Sequence, residues 1–209
     1  MNAARLIAIL GALAGGGALV LQMFLMLGNM GAEGFTPPAI VWRYLGYFTI
    51  VTNILVVLIW ARAALIPARE APRLETAGAV SIAMTGIIYY LLLASRWQPQ
   101  GLQLLATFVH HTLVPILFVL FWLLRTRGSL KWGDAPFFVI WPLTYCAYAL
   151  TRGAFDGWYA YYFLDPTRVT LPKLVLSIAT QSSGFLVCAL VFVGIDKMLG
   201  ARATATTPA

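Results

Sequence analysis

Apolar positions in this chain run in long stretches, broken by short clusters of charge. Six stretches, about 6–28, 42–61, 77–95, 103–124, 135–151 and 173–195, approach the roughly 20 mostly apolar residues that a helix needs to cross a hydrocarbon core. A soluble helix would carry charge on its outer face along its whole length. The pattern predicts an all-α, polytopic integral membrane protein, a six-transmembrane-helix bundle over 1–198. The small polar string at 199–209 predicts a disordered tail. The first stretch follows Arg5 and holds small residues, but it runs well past the roughly 7–15 residues of a signal-peptide core, so it reads as a retained helix. Within it Gly11, Gly15, Ala14 and Ala18 give small-xxx-small spacings, which let a neighbouring helix approach closely.

Composition agrees with that pattern and charge adds an orientation. Apolar residues are 61% of the 209 and charged residues 10%, against roughly 45–50% and about 25% in soluble domains. The net charge of +7 belongs to membrane edges and not to a nucleic-acid surface. One set of alternate loops and ends holds Arg5, Arg62, Arg69, Arg73, Arg125, Arg127, Lys131, Lys197 and Arg202; the other holds only Arg43, Arg96, Arg152, Arg168 and Lys173. Basic loops stay in the cytoplasm, so both termini are expected inside, in a plasma (inner) membrane. Cys146 and Cys188 lie within apolar runs and read as small buried hydrophobes; no metal or cofactor grouping accompanies them.

The outer side carries two unusual loops. Residues 29–41, with Gly31, Gly34, Pro37 and Pro38, lack helical periodicity. Residues 152–172 are dense in aromatics, and the mixture of Gly157, Trp158, Tyr161, Phe163, Leu164 and Asp165 suggests a folded cap over the bundle mouth.

Polar groups inside hydrocarbon are costly and face the bundle interior. Span two starts with Trp42 and Arg43 and sets Thr49, Thr52 and Asn53 on the face of Trp42; span three brings Ser81, Thr85 and Tyr89; span four Thr107, His110, His111 and Thr112; span six Ser177, Thr180, Gln181, Ser182 and Ser183. Counted from the outer helix ends at about 1.5 Å per residue, Thr49, His111 and Gln181 share a layer roughly 12 Å deep. Pro115 cannot donate to the carbonyl of His111, which predicts a kink there. The alternative is that the hydroxyls bond back to their own helices and the histidines only brace neighbours.

The strings YFTIVTN in span two, HHTLVP in span four and GWYAYYFLD before span six together resemble the androgen-induced and androgen-dependent family of six-span membrane proteins, in its prokaryotic branch. The resemblance covers roughly 40–198. It implies hydrolysis of fatty acid esters of hydroxy fatty acids, with an intramembrane threonine as nucleophile, falling on Thr49, and a histidine as base, falling on His111. An alignment anchored on Pro115 selects His110 instead. Where the family's string carries proline, this chain has Tyr162.

The expected function is therefore an intramembrane hydrolase of a lipid-like ester, with no cofactor and no metal. Thr49 attacks the carbonyl, His111 takes its proton, and Asn53 and Gln181 are candidate oxyanion donors. Trp42, Tyr89 and Trp158 are candidates for substrate binding. With no acidic residue inside the spans, a backbone carbonyl or Thr107 is left to orient the histidine. The alternative is a non-enzymatic six-span protein, a small transporter or lipid-binding scaffold. Haem ligation within the chain is excluded, because adjacent histidines on one helix point about 100° apart and no third exists.

Overall fold

The computed structural model describes residues 2–66, 70–125 and 128–205, the last four by backbone alone. Eight α-helices make up the fold: α1 Ala3–Ala32, α2 Pro37–Tyr44, α3 Phe48–Leu65, α4 Pro72–Ile88, α5 Gly101–Phe108, α6 Val114–Arg125, α7 Ile140–Asp156 and α8 Leu171–Ala205, with no strand among the described residues. A π-helical turn, Tyr89–Leu93, continues α4, and another, Val109–Leu113, joins α5 to α6. A 3-10 stretch, Trp132–Val139, leads into α7.

Among the described residues five segments are long and apolar enough to cross a membrane: Ala3–Ala32, Phe48–Leu65, Pro72–Arg96, Gly101–Arg125 and Leu171–Ala201. The region read as span five is the exception, because Pro136 lies within its 3-10 half and α7 alone has 17 residues. Contacts fix the two ends of the bundle. At the first end Arg5 donates to the Ala64 carbonyl at 3.1 Å, Arg73 pairs with Asp134 at 2.9 Å, and the Asp196 carboxylate accepts from the Gly128 and Leu130 N–H groups, each at 2.8 Å. There Arg125 also grips Glu75 with two parallel bonds of 2.9 and 3.0 Å, both side chains buried. At the second end Trp42 donates to Asp156 at 2.7 Å and the Arg96 guanidinium lies over the Tyr162 ring. The chain from Asp134 to Asp156 thus leads from the first end to the second.

Packing of α1 follows its small residues. Ala4, Ala8, Gly11, Gly15 and Ala18 form its buried stripe, while Ala14 is half-buried. A Cβ on Gly11 would meet the Trp60 ring at 2.6 Å and one on Gly15 would meet Val57 at 2.9 Å, so α1 lies directly on α3.

Three local expectations change. Residues 29–41 are partly helical: α1 continues to Ala32, and α2 starts at Pro37, where proline's fixed φ and missing N–H suit a first helical position. Span two is not one helix from 42; the chain breaks at 45–47 and restarts at Phe48, so Trp42 belongs to a different helix from Thr49. The tail expected to be disordered from 199 is helical to Ala205, as an extension of α8, and 206–209 lie outside the described residues.

Candidate functional site

The break between α2 and α3 builds the first half of the site. Gly46 has no side chain, and a Cβ there would collide with the Arg152 guanidinium and with Trp158. The carbonyls freed at the break are met from α7: Tyr145 donates to Gly46 O at 2.8 Å and Tyr148 to Leu45 O at 3.3 Å. Irregular backbone at membrane depth persists only where such partners exist. The restart puts Thr49 in the first turn of α3, half-buried, with the backbone N–H groups of that turn around it.

The second half comes from the π turn at Val109–Leu113, which ends two residues before Pro115. Proline removes the N–H that the His111 carbonyl would accept. The α4 backbone comes close at that point, since a Cβ on Gly86 would lie 2.8 Å from His111 O. The opposite π turn delivers Tyr89, whose ring stacks on His111 at 4.0 Å and 22°. Isolated π turns concentrate at functional sites.

These two halves bring Thr49 Oγ1 to 3.2 Å from His111 Nε2, and His111 Nδ1 to 3.0 Å from the Thr107 carbonyl. A carbonyl only accepts, so Nδ1 carries the hydrogen; in a neutral imidazole Nε2 is then the acceptor for the threonine hydroxyl. The orienting group is thus a backbone carbonyl one turn back. His110 points elsewhere: it is 2% exposed, and its Nε2 has no partner among the described residues.

Thr49 opens onto a pocket of ≈ 540 Å³ of empty space, its mouth included, walled by Tyr89, Tyr145, Tyr161, Gln181 and Phe185 among others. Gln181 therefore shares a cavity with Thr49, but its Nε2 is turned to Ser177 Oγ and O at 3.1 and 3.3 Å. Asn53 is fully buried, and its Nδ2 donates to the Thr49 carbonyl at 2.8 Å; it braces the first turn of α3 and does not face the pocket opening. Trp42 and Trp158 stand apart from this pocket, clasping Arg152 at the second end. Thr85 and Ser183 bond back to their own helices, as the simpler reading of intramembrane hydroxyls holds. Thr52 accepts from the Trp141 indole at 3.0 Å.

The aromatic loop after α7 supplies a side chain that the sequence reading placed in a cap but gave no part in the chemistry. The Tyr161 hydroxyl oxygen accepts the Thr49 backbone N–H at 3.5 Å, its ring stacks on Phe163, and with Phe163 and Leu164 it walls the pocket. Burial pushes its phenol up to about 12, so it stays a neutral hydroxyl able to donate. Density of aromatics in this loop and the string GWYAYYFLD were the signals for it. The acidic side chains Glu75 and Asp196 lie within helices, but at the first end. Among the described residues no group of His, Cys, Asp and Glu is arranged to hold a metal. Comparison of the chain with protein families, with curated proteins and with solved structures finds no match.

Proposed function

We propose that this protein is a six-span intramembrane hydrolase of lipid-like esters that works through a threonine–histidine dyad. The observation that carries the reading is the chain Thr49 Oγ1, His111 Nε2, His111 Nδ1, Thr107 O, with links of 3.2 and 3.0 Å. A hydroxyl is a weak nucleophile until an adjacent base takes its proton, and a base works best when a third group fixes its tautomer. Thr49 Oγ1 attacks the ester carbonyl as its proton passes to Nε2. The imidazolium so formed is held by the Thr107 carbonyl and returns the proton to the departing alkoxide, leaving an acyl-threonine. Water, deprotonated by the same nitrogen, then releases the fatty acid.

The oxyanion has a candidate donor in the Tyr161 hydroxyl, and a second in the Thr49 N–H at the start of α3 when the oxyanion displaces the Tyr161 oxygen that this N–H meets at 3.5 Å; these replace Asn53 and Gln181 in that role. The apolar wall of the pocket suits an acyl chain, and the apolar exterior suits a substrate drawn from the bilayer. Membership of the androgen-induced and androgen-dependent family, and with it an ester of a hydroxy fatty acid as substrate, fits this arrangement. In the membrane the segment 135–151 serves as the fifth of six spans and the first end lies in the cytoplasm of a plasma (inner) membrane; the basic bias supports that orientation.

A second reading, a non-enzymatic lipid-binding scaffold or small transporter, draws on the stacking of Tyr89 against His111, which by itself would make the histidine a packing element. A lipophilic fluorophosphonate decides between the two. Covalent labelling of the purified protein, lost in Thr49→Ala, is the expected result. An unlabelled wild-type protein that turns over none of a panel of lipid esters would remove the hydrolase reading.

A further inference from the structure

Two arginines meet at the second end of the bundle with too little negative charge between them. Arg152, on α7, is 4% exposed, and its guanidinium lies 4.4 Å from the Trp42 ring and 5.2 Å from the Trp158 ring. Arg43, on α2, lies over the other ring contacts of the same cluster, 4.7 Å from Trp158 and 5.2 Å from Phe35. Cation–π attraction holds both cations in an aromatic cage.

Asp156 is the carboxylate at hand, and its oxygens are already engaged. One accepts the Trp42 indole N–H at 2.7 Å and also faces Arg152 Nε at 3.4 Å; the other accepts the Trp158 backbone N–H at 2.9 Å. Arg152 Nη1 reaches the Tyr148 hydroxyl at 3.5 Å, and Nη2 has no acceptor among the described residues. No carboxylate among them lies within ion-pair distance of Arg43. A guanidinium N–H taken out of water without an acceptor is costly, and the deficit is one an anion removes.

Ring contacts connect the cage to the pocket. Trp158 packs edge-on against Tyr47 at 5.3 Å, Tyr47 against Tyr161 at 6.4 Å, and Tyr161 walls the cavity beside Thr49. Tyr47 thus stands between the cage and the pocket wall, and an amphiphile whose apolar part fills the cavity reaches past it to set its head at the cage. From this we infer that Arg43 and Arg152 form an anion subsite, which takes the carboxylate or phosphate head of an amphiphile whose apolar part lies in the Thr49 pocket. This rests on reading that pocket as a lipid site, though not on any turnover there. Arg43, half-buried, meets the head first. Trp42, 48% exposed, is the outer wall of the cage and turns aside for the head to reach Arg152 Nη2. Planar guanidiniums suit a head with two oxygens in one plane.

The test uses the full chain carrying Thr49→Ala, so that nothing is consumed, in nanodiscs of phosphatidylcholine. A fluorescent fatty acid is displaced by palmitate, hexadecyl phosphate or methyl palmitate, which share a chain and differ in the head. Palmitate or the alkyl phosphate is expected to displace at roughly tenfold lower concentration than the neutral ester, the value of one charge-assisted contact. Their mutual ratio identifies the head. Arg43→Gln should remove most of that preference without changing displacement by methyl palmitate, and Arg43→Lys should retain part of it. Arg152→Gln should act alike, but its side chain is packed, so the more exposed Arg43 decides. Equal displacement by anionic and neutral competitors, or an undiminished preference in Arg43→Gln, overturns the subsite. Ester turnover without anion preference ends the subsite and leaves the hydrolase standing; preference without turnover does the reverse.

Discussion

Removing the partners of the dyad singly and together tests the proposed chemistry most directly. His111 Nε2 is the basic nitrogen on Thr49 Oγ1, and the Thr107 carbonyl holds it in the accepting tautomer. A positioned general base contributes about 10²–10⁴ in rate, or roughly 3–5 kcal/mol of transition-state stabilisation. His111→Ala should therefore lower ester hydrolysis and fluorophosphonate labelling by at least about a hundredfold. Thr49→Ala should abolish labelling, because among the described residues no other hydroxyl stands on that nitrogen. If the two groups acted independently, the double variant would lose the product of the single losses. Acting as one unit, it should be no worse than the poorer single variant. Thr49→Ser keeps the oxygen and should stay within about tenfold of the parent, since the same nitrogen still faces it. His110→Ala, one residue away but turned from the pocket, should keep its labelling. The rates are read on protein in nanodiscs, with a thermal melt to show that each variant is folded. Full activity in Thr49→Ala would end the threonine mechanism, and an inactive His110→Ala beside an active His111→Ala would move the base by one residue.

Other expectations follow from the same geometry. Tyr161→Phe should lower the turnover rate by about 10²–10³ with a much smaller change in KM, as loss of an oxyanion donor does; an unchanged rate would return Tyr161 to a wall residue. Glu75→Ala, which leaves a buried guanidinium without its two parallel bonds, should lower stability by about 3–5 kcal/mol, while replacing Glu75 and Arg125 together by methionine should recover most of it. A melt of Glu75→Ala matching the parent would show that the pair adds nothing. For orientation, Glu33→Cys should react with an impermeant thiol reagent on intact cells and Glu70→Cys should not; both positions are exposed, and the reverse labelling would invert the topology.

How much of this was legible beforehand depends on the range of the forces involved. The existence of the helices was legible, because it needs only a run of apolar residues long enough to satisfy its own backbone. The small-residue stripe of α1 was readable too, since Gly11 and Gly15 can serve a close neighbour wherever that neighbour comes from. Depth counting expected Thr49, His111 and Gln181 in one layer, but it treated 42–61 as one helix, and Thr49 instead stands in the first turn of α3 after the break. What counting could not supply was azimuth. His110 and His111 are adjacent, about 100° apart on an ideal helix, and a π turn rotates that face again.

The sequence by itself determined the apolar runs, the charge bias between loops and the presence of a hydroxyl, an imidazole and an amide within those runs, all local properties of the chain. Only the tertiary structure decided the break at 45–47. Its free carbonyls are satisfied by Tyr145 and Tyr148, and its glycine is needed because Arg152 comes within contact; these partners are about a hundred residues away, beyond any local signal. The same holds for the pairing of Thr49 with His111 and for the seat of Tyr161 against the first turn of α3. Asn53 and Gln181, chosen for polarity and spacing, spend their amide hydrogens on their own helices, because a carbonyl or hydroxyl four residues back is always within reach and a cross-helix partner is not.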